Sequence, residues 1–306
     1  MNLISAVLTP LDDEGRLHAE GLRRHLDDQW QAGIDGVLLG GTMGLLQLLA
    51  DETWRALVSQ GVEASRRKGE VLVGVGDCSF DRTRDRIRAV DSEPIDGIVV
   101  LAPYFIKFAQ DELALYFESL ANISRRPLYL YDLPARTGVK LEAPLVCRLA
   151  RHPNIRGIKV SDDWSATRQL VHMLQESGAP ESFRVIPAQP LLVDVLAREG
   201  ADGNLDGVFA LAPAWTRSIV DAVATGGDML AAERQRRLAR LLDALRGPWP
   251  LFPACTAILN ARGIPGTVAP RPMQPLAADQ RERLLALPVV RELLADAASA
   301  SPLVSA

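Results

Sequence analysis

Eight times in succession a short apolar run is followed by a segment of helical period, and this alternation limits the possible folds more than any other feature. The runs cover residues 3–8, 36–39, 71–74, 97–101, 128–131, 155–159, 183–186 and 203–209. The helical segments cover 19–31, 51–67, 81–92, 110–124, 143–150, 164–175, 191–199 and 215–224. Strands that alternate with helices imply a parallel sheet, and eight such units in about 250 residues is the count of a closed (β/α)8 barrel. A doubly wound open sheet is the alternative, and it carries a glycine-rich phosphate loop after its first strand. Here that position reads Thr9-Pro10-Leu11-Asp12-Asp13-Glu14-Gly15, so the barrel is the expectation. Residues 1–226 are assigned to it. Residues 227–306 are read as a helical extension, with a helix through Leu245, a Pro- and Gly-rich segment over 247–275 and a last helix over 279–295. The Ala/Ser-rich C-terminus is expected to fray.

The net charge of −4, with both signs interspersed, lacks the footprint of a nucleic-acid binder. Cys78, Cys147 and Cys255 are too far apart for a disulfide framework or a zinc spacing, which points to a reducing compartment. The N-terminal stretch lacks a basic region and is too short for a signal sequence or a membrane span, so a cytoplasmic protein without membrane contact is expected. His18, His25, His152 and His172 fall on helices or their margins without paired spacing, and no metal is expected. Trp30, Trp54, Trp164 and Trp215 are read as packing residues.

In a barrel of this type the chemistry lies at the C-terminal ends of the strands. Lys159 closes the sixth run, and Asp162 or Asp163 is placed to cap the helix that follows. Taken alone, a lysine at a strand end snorkels to the surface. Held out of water, its amine would be a neutral nucleophile able to form a Schiff base with a keto substrate. After the second run, Gly40-Gly41-Thr42-Met43-Gly44-Leu45 combines free backbone N–H groups with a hydroxyl, which suits a carboxylate as well as it suits a tight turn. After the fifth run, Tyr131 through Gly138 offers a phenol able to pass protons and, in Arg136, a guanidinium able to grip a carboxylate. Together the three strand ends read as keto-acid chemistry.

These residues resemble those of the dihydrodipicolinate synthase and N-acetylneuraminate lyase superfamily of class I, Schiff-base-forming aldolases and lyases. The likeness runs through Thr9-Pro10, Gly41-Thr42-Met43-Gly44, Pro103-Tyr104-Phe105, Tyr131 to Gly138, Gly157-Ile158-Lys159, Gly200-Ala201-Asp202-Gly203 and Arg271-Pro272. It implies a (β/α)8 barrel with a C-terminal helical extension, assembled as a dimer or tetramer, and no cofactor. It also implies that Lys159 forms an imine with pyruvate or a longer 2-keto acid, that Tyr131 relays protons and that Thr42, with its neighbour Met43, holds the carboxylate. Arg136 matches the arginine that grips the second substrate in the synthase branch, and the carbonyl of Leu205 is implied to lie near the lysine.

Departures accompany the likeness. Met43 replaces a second hydroxyl residue, Leu45 a glutamate, Asp206 a serine and Ala210 an asparagine. Phe105 stands where many members place a tyrosine that reaches across a dimer interface to complete the proton relay. Leu45 resembles the residue found in sugar-acid aldolases. The reading is therefore a class I lyase that makes or breaks a carbon–carbon bond next to a 2-keto acid, with an aldehyde or sugar acid as the other partner. Its alternatives are dihydrodipicolinate synthase proper, using aspartate semialdehyde, a 2-keto-3-deoxy sugar-acid aldolase or dehydratase, and a lapsed barrel that binds keto acids without turnover.

Overall fold

Each apolar run is followed by a helix that returns the chain to the same end of the sheet, so neighbouring strands can only pair in parallel. The computed structural model describes residues 1–300, and among them lie eight strands. These are β1 (Asn2–Ala6), β2 (Gly36–Leu39), β3 (Glu70–Gly74), β4 (Gly97–Leu101), β5 (Leu128–Asp132), β6 (Ile155–Val160), β7 (Arg184–Pro187) and β8 (Gly203–Asp206). Parallel ladders run from β8 through β1 and in order to β7. The seam between β7 and β8 is bridged by Asn204, whose amide accepts from the Gln189 N–H at 3.0 Å and donates to the Gln189 carbonyl at 2.9 Å. The chain is thus a (β/α)8 barrel with a C-terminal helical extension.

Alternation along the strands divides the apolar residues into layers. Ile4, Leu38, Leu72, Val99, Ile186 and Leu205 fill the lumen. Their neighbours along the strands, such as Val37, Val73, Ile98, Leu130 and Ile158, pack outward under the helices. At the lower end of the lumen, Arg184 pairs with Glu70 at 2.6 Å and reaches the Tyr129 hydroxyl at 3.3 Å. The extension shares its core with the barrel: Leu238, Leu241, Ile258 and Val290 cluster with Leu3, Leu8, Val193 and Phe209. Arg262 ties it further, donating to Asp28 at 2.6 Å and to the Leu211 carbonyl at 2.7 Å.

Three expectations are corrected. The eighth run does not stay extended to residue 209: Asp206 accepts the Val208 N–H at 2.9 Å, and Val208–Leu211 coils into a helical turn. The Pro- and Gly-rich segment holds a helix, Leu251–Ala261, because Pro253 lies in its first turn, where a missing N–H costs no helical bond. The last helix is two, Ala278–Ala286 and Pro288–Ala300, because Leu287, preceding a proline, turns extended at ψ 134°. Residues 301–306, where fraying is expected, lie outside the described residues.

Candidate active site

The geometry of the site starts from one irregularity in a ladder. Leu128 pairs with Ile155, but the next residue, Tyr129, pairs with Gly157, so Arg156 is skipped. Had the first register continued, Tyr131 would stand beside Ile158, which faces the helices. The shift sets Tyr131 beside Lys159 instead, and both point into the lumen. Gly157 permits this: a Cβ there would lie 2.5 Å from the Arg184 carbonyl and 2.9 Å from the Tyr129 ring. The Lys159 ammonium sits 3.9 Å from the centroid of the Tyr131 ring, with each residue only 5% exposed.

The loop after β2 brings in Thr42, whose hydroxyl is 3.2 Å from the Tyr131 hydroxyl. Close packing holds this loop down. A Cβ at Gly74 would meet the Gly40 carbonyl at 2.0 Å, and Thr9, from the end of β1, donates to the Gly44 carbonyl at 2.8 Å. Met43 reaches from the same loop past β1 to the end of β8, where its Cγ lies 2.1 Å from the position a Cβ at Gly207 would take. The methionine is accommodated by a glycine at the end of β8, two strands away from its own loop.

The remaining expected residues are dispersed around this centre. Leu205 is buried, with its side chain in the lumen on β8. Arg136 lies exposed on the short helix Pro134–Thr137 and, among the described residues, makes no ion pair. Phe105, in the loop after β4, has φ +80° and is 93% exposed, beside the exposed side chains of Ile106 and Phe108. Asp163, rather than Asp162, caps the helix Trp164–Glu176, accepting the Ala166 N–H at 2.9 Å.

One member of the site was not anticipated from the sequence. Ser161 accepts a hydrogen bond from the Lys159 ammonium at 2.8 Å. The signal was present as strand period, since two residues beyond Lys159 the side chain returns to the same face. Ser161 is positioned by its own N–H, which extends the ladder to the Asp132 carbonyl at 2.9 Å. The next residue, Asp162, is pinned by Lys140 at 2.7 Å, and Lys140 also binds the buried Asp132. Gln189 adds a hydrogen bond to the Asp162 carbonyl at 2.5 Å.

Electrostatics follow from this packing. Burial pushes the Tyr131 phenol up, but the charge of Lys159, together with polar contacts to Lys159, Ser161 and Thr42, outweighs it and holds the phenol below its ordinary value. Burial raises the pKa of Asp206, against the Val208 N–H and the nearby Lys159 charge. The Lys140 ammonium lowers that of Asp162. A buried amine beside a phenol biased toward its anion, with two hydroxyls at hand, can add to a carbonyl and move the protons that addition releases.

The sequence matches the model of the dihydrodipicolinate synthetase family over residues 1–288. The chain is 30% identical over 299 residues to 4-hydroxy-tetrahydrodipicolinate synthase 1 of Streptomyces coelicolor, covering 96% of this chain and 94% of that one. It is also 30% identical to the 4-hydroxy-tetrahydrodipicolinate synthase of Limosilactobacillus fermentum, over 92% of this chain and 89% of that one. Among solved structures it superposes with a TM-score of 0.87 on YagE, a prophage protein of Escherichia coli K12 belonging to the dihydrodipicolinic acid synthase family, in complex with pyruvate. That pair is 26% identical and covers 95% of this chain and 98% of the other. A monomeric dihydrodipicolinate synthase variant shares the fold at a TM-score of 0.84, with 23% identity over 97% and 96% of the two chains. With the barrel, the helical extension and the match over nearly its whole length in agreement, this chain belongs to the dihydrodipicolinate synthetase family.

Proposed function

We propose that the protein is a class I lyase that forms an imine between Lys159 and pyruvate, or another 2-keto acid, and makes or breaks the adjacent carbon–carbon bond. The observation that carries this reading is the buried Lys159 ammonium over the Tyr131 ring at 3.9 Å, with Thr42 3.2 Å from the phenol oxygen. The pyruvate complex of YagE, a similar protein, supports the choice of keto acid.

In this reading the Lys159 amine adds to the keto carbon, and the phenol of Tyr131 protonates the oxygen that becomes negative. The nitrogen, positive after addition, returns a proton to the phenolate; the restored phenol then protonates the carbinolamine hydroxyl, which leaves as water while the nitrogen lone pair forms the iminium. The cationic nitrogen withdraws electrons from the adjacent bonds, so a proton or a carbon fragment can depart from the neighbouring carbon to leave an enamine. Thr42, Met43 and the backbone N–H groups of their loop hold the substrate carboxylate, with Met43 contributing its N–H and an apolar wall. The Leu205 carbonyl orients the amine from β8.

Two second substrates are carried forward. The names of the curated relatives support aspartate semialdehyde, with Arg136 gripping its carboxylate as it does in the synthase branch. The departures at Met43, Leu45 and Phe105 support a 2-keto-3-deoxy sugar acid, cleaved or dehydrated. The test is Lys159→Ala assayed beside the wild type with pyruvate plus candidate aldehydes and with sugar acids. The expected result is turnover of one class by the wild type and a loss of at least about 10³-fold in the variant. Substantial turnover by Lys159→Ala overturns the proposal, and keto-acid binding without turnover by the wild type would establish the lapsed barrel instead.

The exposed apolar side chains of Phe105, Ile106 and Phe108 beside the barrel mouth support association of copies of this chain. The three unpaired cysteines fit a reducing, cytoplasmic compartment. Among the described residues no helix is long and apolar enough to cross a membrane.

A further inference from the structure

A second lysine stands at the ends of the strands, and its surroundings fit a fixed charge rather than a nucleophile. Lys140, half-buried at the end of the loop that follows β5, places its ammonium between two carboxylates. It binds Asp132, the last residue of β5, and donates to Asp162, in the turn after β6, at 2.7 Å. Burial alone would lower the pKa of this amine, but the two carboxylates outweigh it and keep the ammonium charged. The ion pairs tie together the ends of the two strands that carry Tyr131 and Lys159. Asp132 follows Tyr131 directly, and its carbonyl accepts the Ser161 N–H at 2.9 Å as the last rung of the ladder. The Ser161 hydroxyl in turn accepts from the Lys159 ammonium at 2.8 Å. We propose that Lys140 is a positioning residue, a charged clasp between Asp132 and Asp162 that keeps the ends of β5 and β6 closed and so holds Lys159 and Tyr131 side by side for reaction.

The proposal rests on the imine reading of Lys159 and concerns what holds that lysine in place. Asp132 is buried, and besides the ammonium its carboxylate accepts the Leu141 N–H at 3.1 Å. Asp162 accepts the Asp163 N–H at 2.8 Å with one oxygen and the ammonium with the other. Because both carboxylates reach one nitrogen, they lie close together, and without its charge they repel each other. The elements packed around the clasp bring no second cation to it. Helix Gln110–Ile123 meets the Lys140 carbonyl with the neutral amide of Gln110 at 2.9 Å, and the loop after β7 meets the Asp162 carbonyl with that of Gln189. Arg136 and Glu142, on the same loop as Lys140, are exposed, and Asp163 is engaged in capping its helix. Loss of Lys140 therefore leaves two anions at the top of the ladder. Parting the strands at the Ser161 rung relieves them and draws the Ser161 hydroxyl away from Lys159. Acid relieves them differently: one carboxyl takes up a proton and donates it to the other, which closes the bridge again.

The test compares wild type, Lys140→Met and Lys140→Met/Asp162→Asn as full chains, with folding checked by circular dichroism. Exchange of the pyruvate methyl protons for deuterium is followed by NMR across pH, and the borohydride-reduced adduct is read by intact mass. Above about pH 7, Lys140→Met is expected to exchange about 10- to 100-fold more slowly than wild type, the scale of a misplaced reacting group. Near about pH 5, where the carboxyl pair holds one proton, it is expected to come within about threefold. Adding Asp162→Asn leaves a single carboxylate and offers it an amide donor, so most of the lost rate should return and the ratio to wild type should no longer depend on pH. A Lys140→Met ratio that is the same at every pH assigns Lys140 to packing and overturns the clasp, and so does a rate within about twofold of wild type throughout. If Lys140→Met does not fold, the double variant decides: exchange within about tenfold of wild type supports the clasp, and a larger loss overturns it. Wild-type adduct on Lys159 beside any of these contrary results leaves the imine intact and removes the clasp alone. Absence of any adduct in the wild type overturns the imine reading and the role of Lys140 together.

Discussion

At the scale of single residues, the methionine in the loop after β2 has a physical counterpart at the end of β8. Met43 occupies the space above Gly207, where an added Cβ would lie 2.1 Å from its Cγ and 3.0 Å from its Cβ. Neither atom is the free end of the side chain, so the methionine and its loop must shift if residue 207 gains a methyl group. Gly207→Ala is therefore expected to raise KM for pyruvate about tenfold, in line with overpacking of one to three kcal/mol. Met43→Ala in the same chain should restore it, and a KM unmoved by Gly207→Ala would contradict the coupling. This pair was not legible in the sequence, because residues 43 and 207 meet only once β1 and β2 have placed their loops beside β8. Lys159, Tyr131 and Thr42 were legible as neighbours because each closes or follows a strand, and strand ends share one barrel face. Ser161 stood within the motif and was overlooked, since its partnership with Lys159 depends on β6 continuing past the lysine.

At the scale of elements, the strands were readable because both faces of each are apolar, and β2 and β4 have the ends expected. Ends went astray where a side chain outweighs periodicity: Asp206 stops β8, and the fully buried strand-like run 207–211 coils. The register shift at Arg156 left no mark in composition at all, although it decides which residue of β6 stands beside Tyr131. The packing of helix Ala19–Gln31 on β1 carries its own prediction. His25 is fully buried, accepts the Leu8 N–H at 3.3 Å and has its pKa lowered to about 3, first by burial and then by the Arg262 charge. The unfolded chain, with an ordinary histidine, binds a proton below about pH 6.5, while the folded one stays neutral until about 3. Folding stability contributed by this site is thus complete above pH 6.5 and is lost as pH falls, by up to about 1.4 kcal/mol per pH unit. His25→Gln keeps an acceptor for Leu8 and cannot titrate, so denaturation between pH 6.5 and 4.5 should show a shallower decline in the variant. Parallel declines would contradict the assignment.

At the scale of the whole molecule, the barrel presents a polar centre enclosed by its own strands and an apolar rim formed by the Phe105 loop. If that rim is an interface, light scattering should find a dimer or larger assembly, and Phe105→Glu with Ile106→Glu should shift it toward monomer. A wild-type monomer would contradict the interface. The central claim concerns Lys159, and the measurement that reaches it most directly is intact-mass spectrometry after incubation with pyruvate and borohydride, followed by peptide mapping. The account predicts one reduced pyruvate adduct per chain, located on Lys159 and absent from Lys159→Ala. An adduct mapping to another lysine, or none with pyruvate or any longer 2-keto acid, would contradict it.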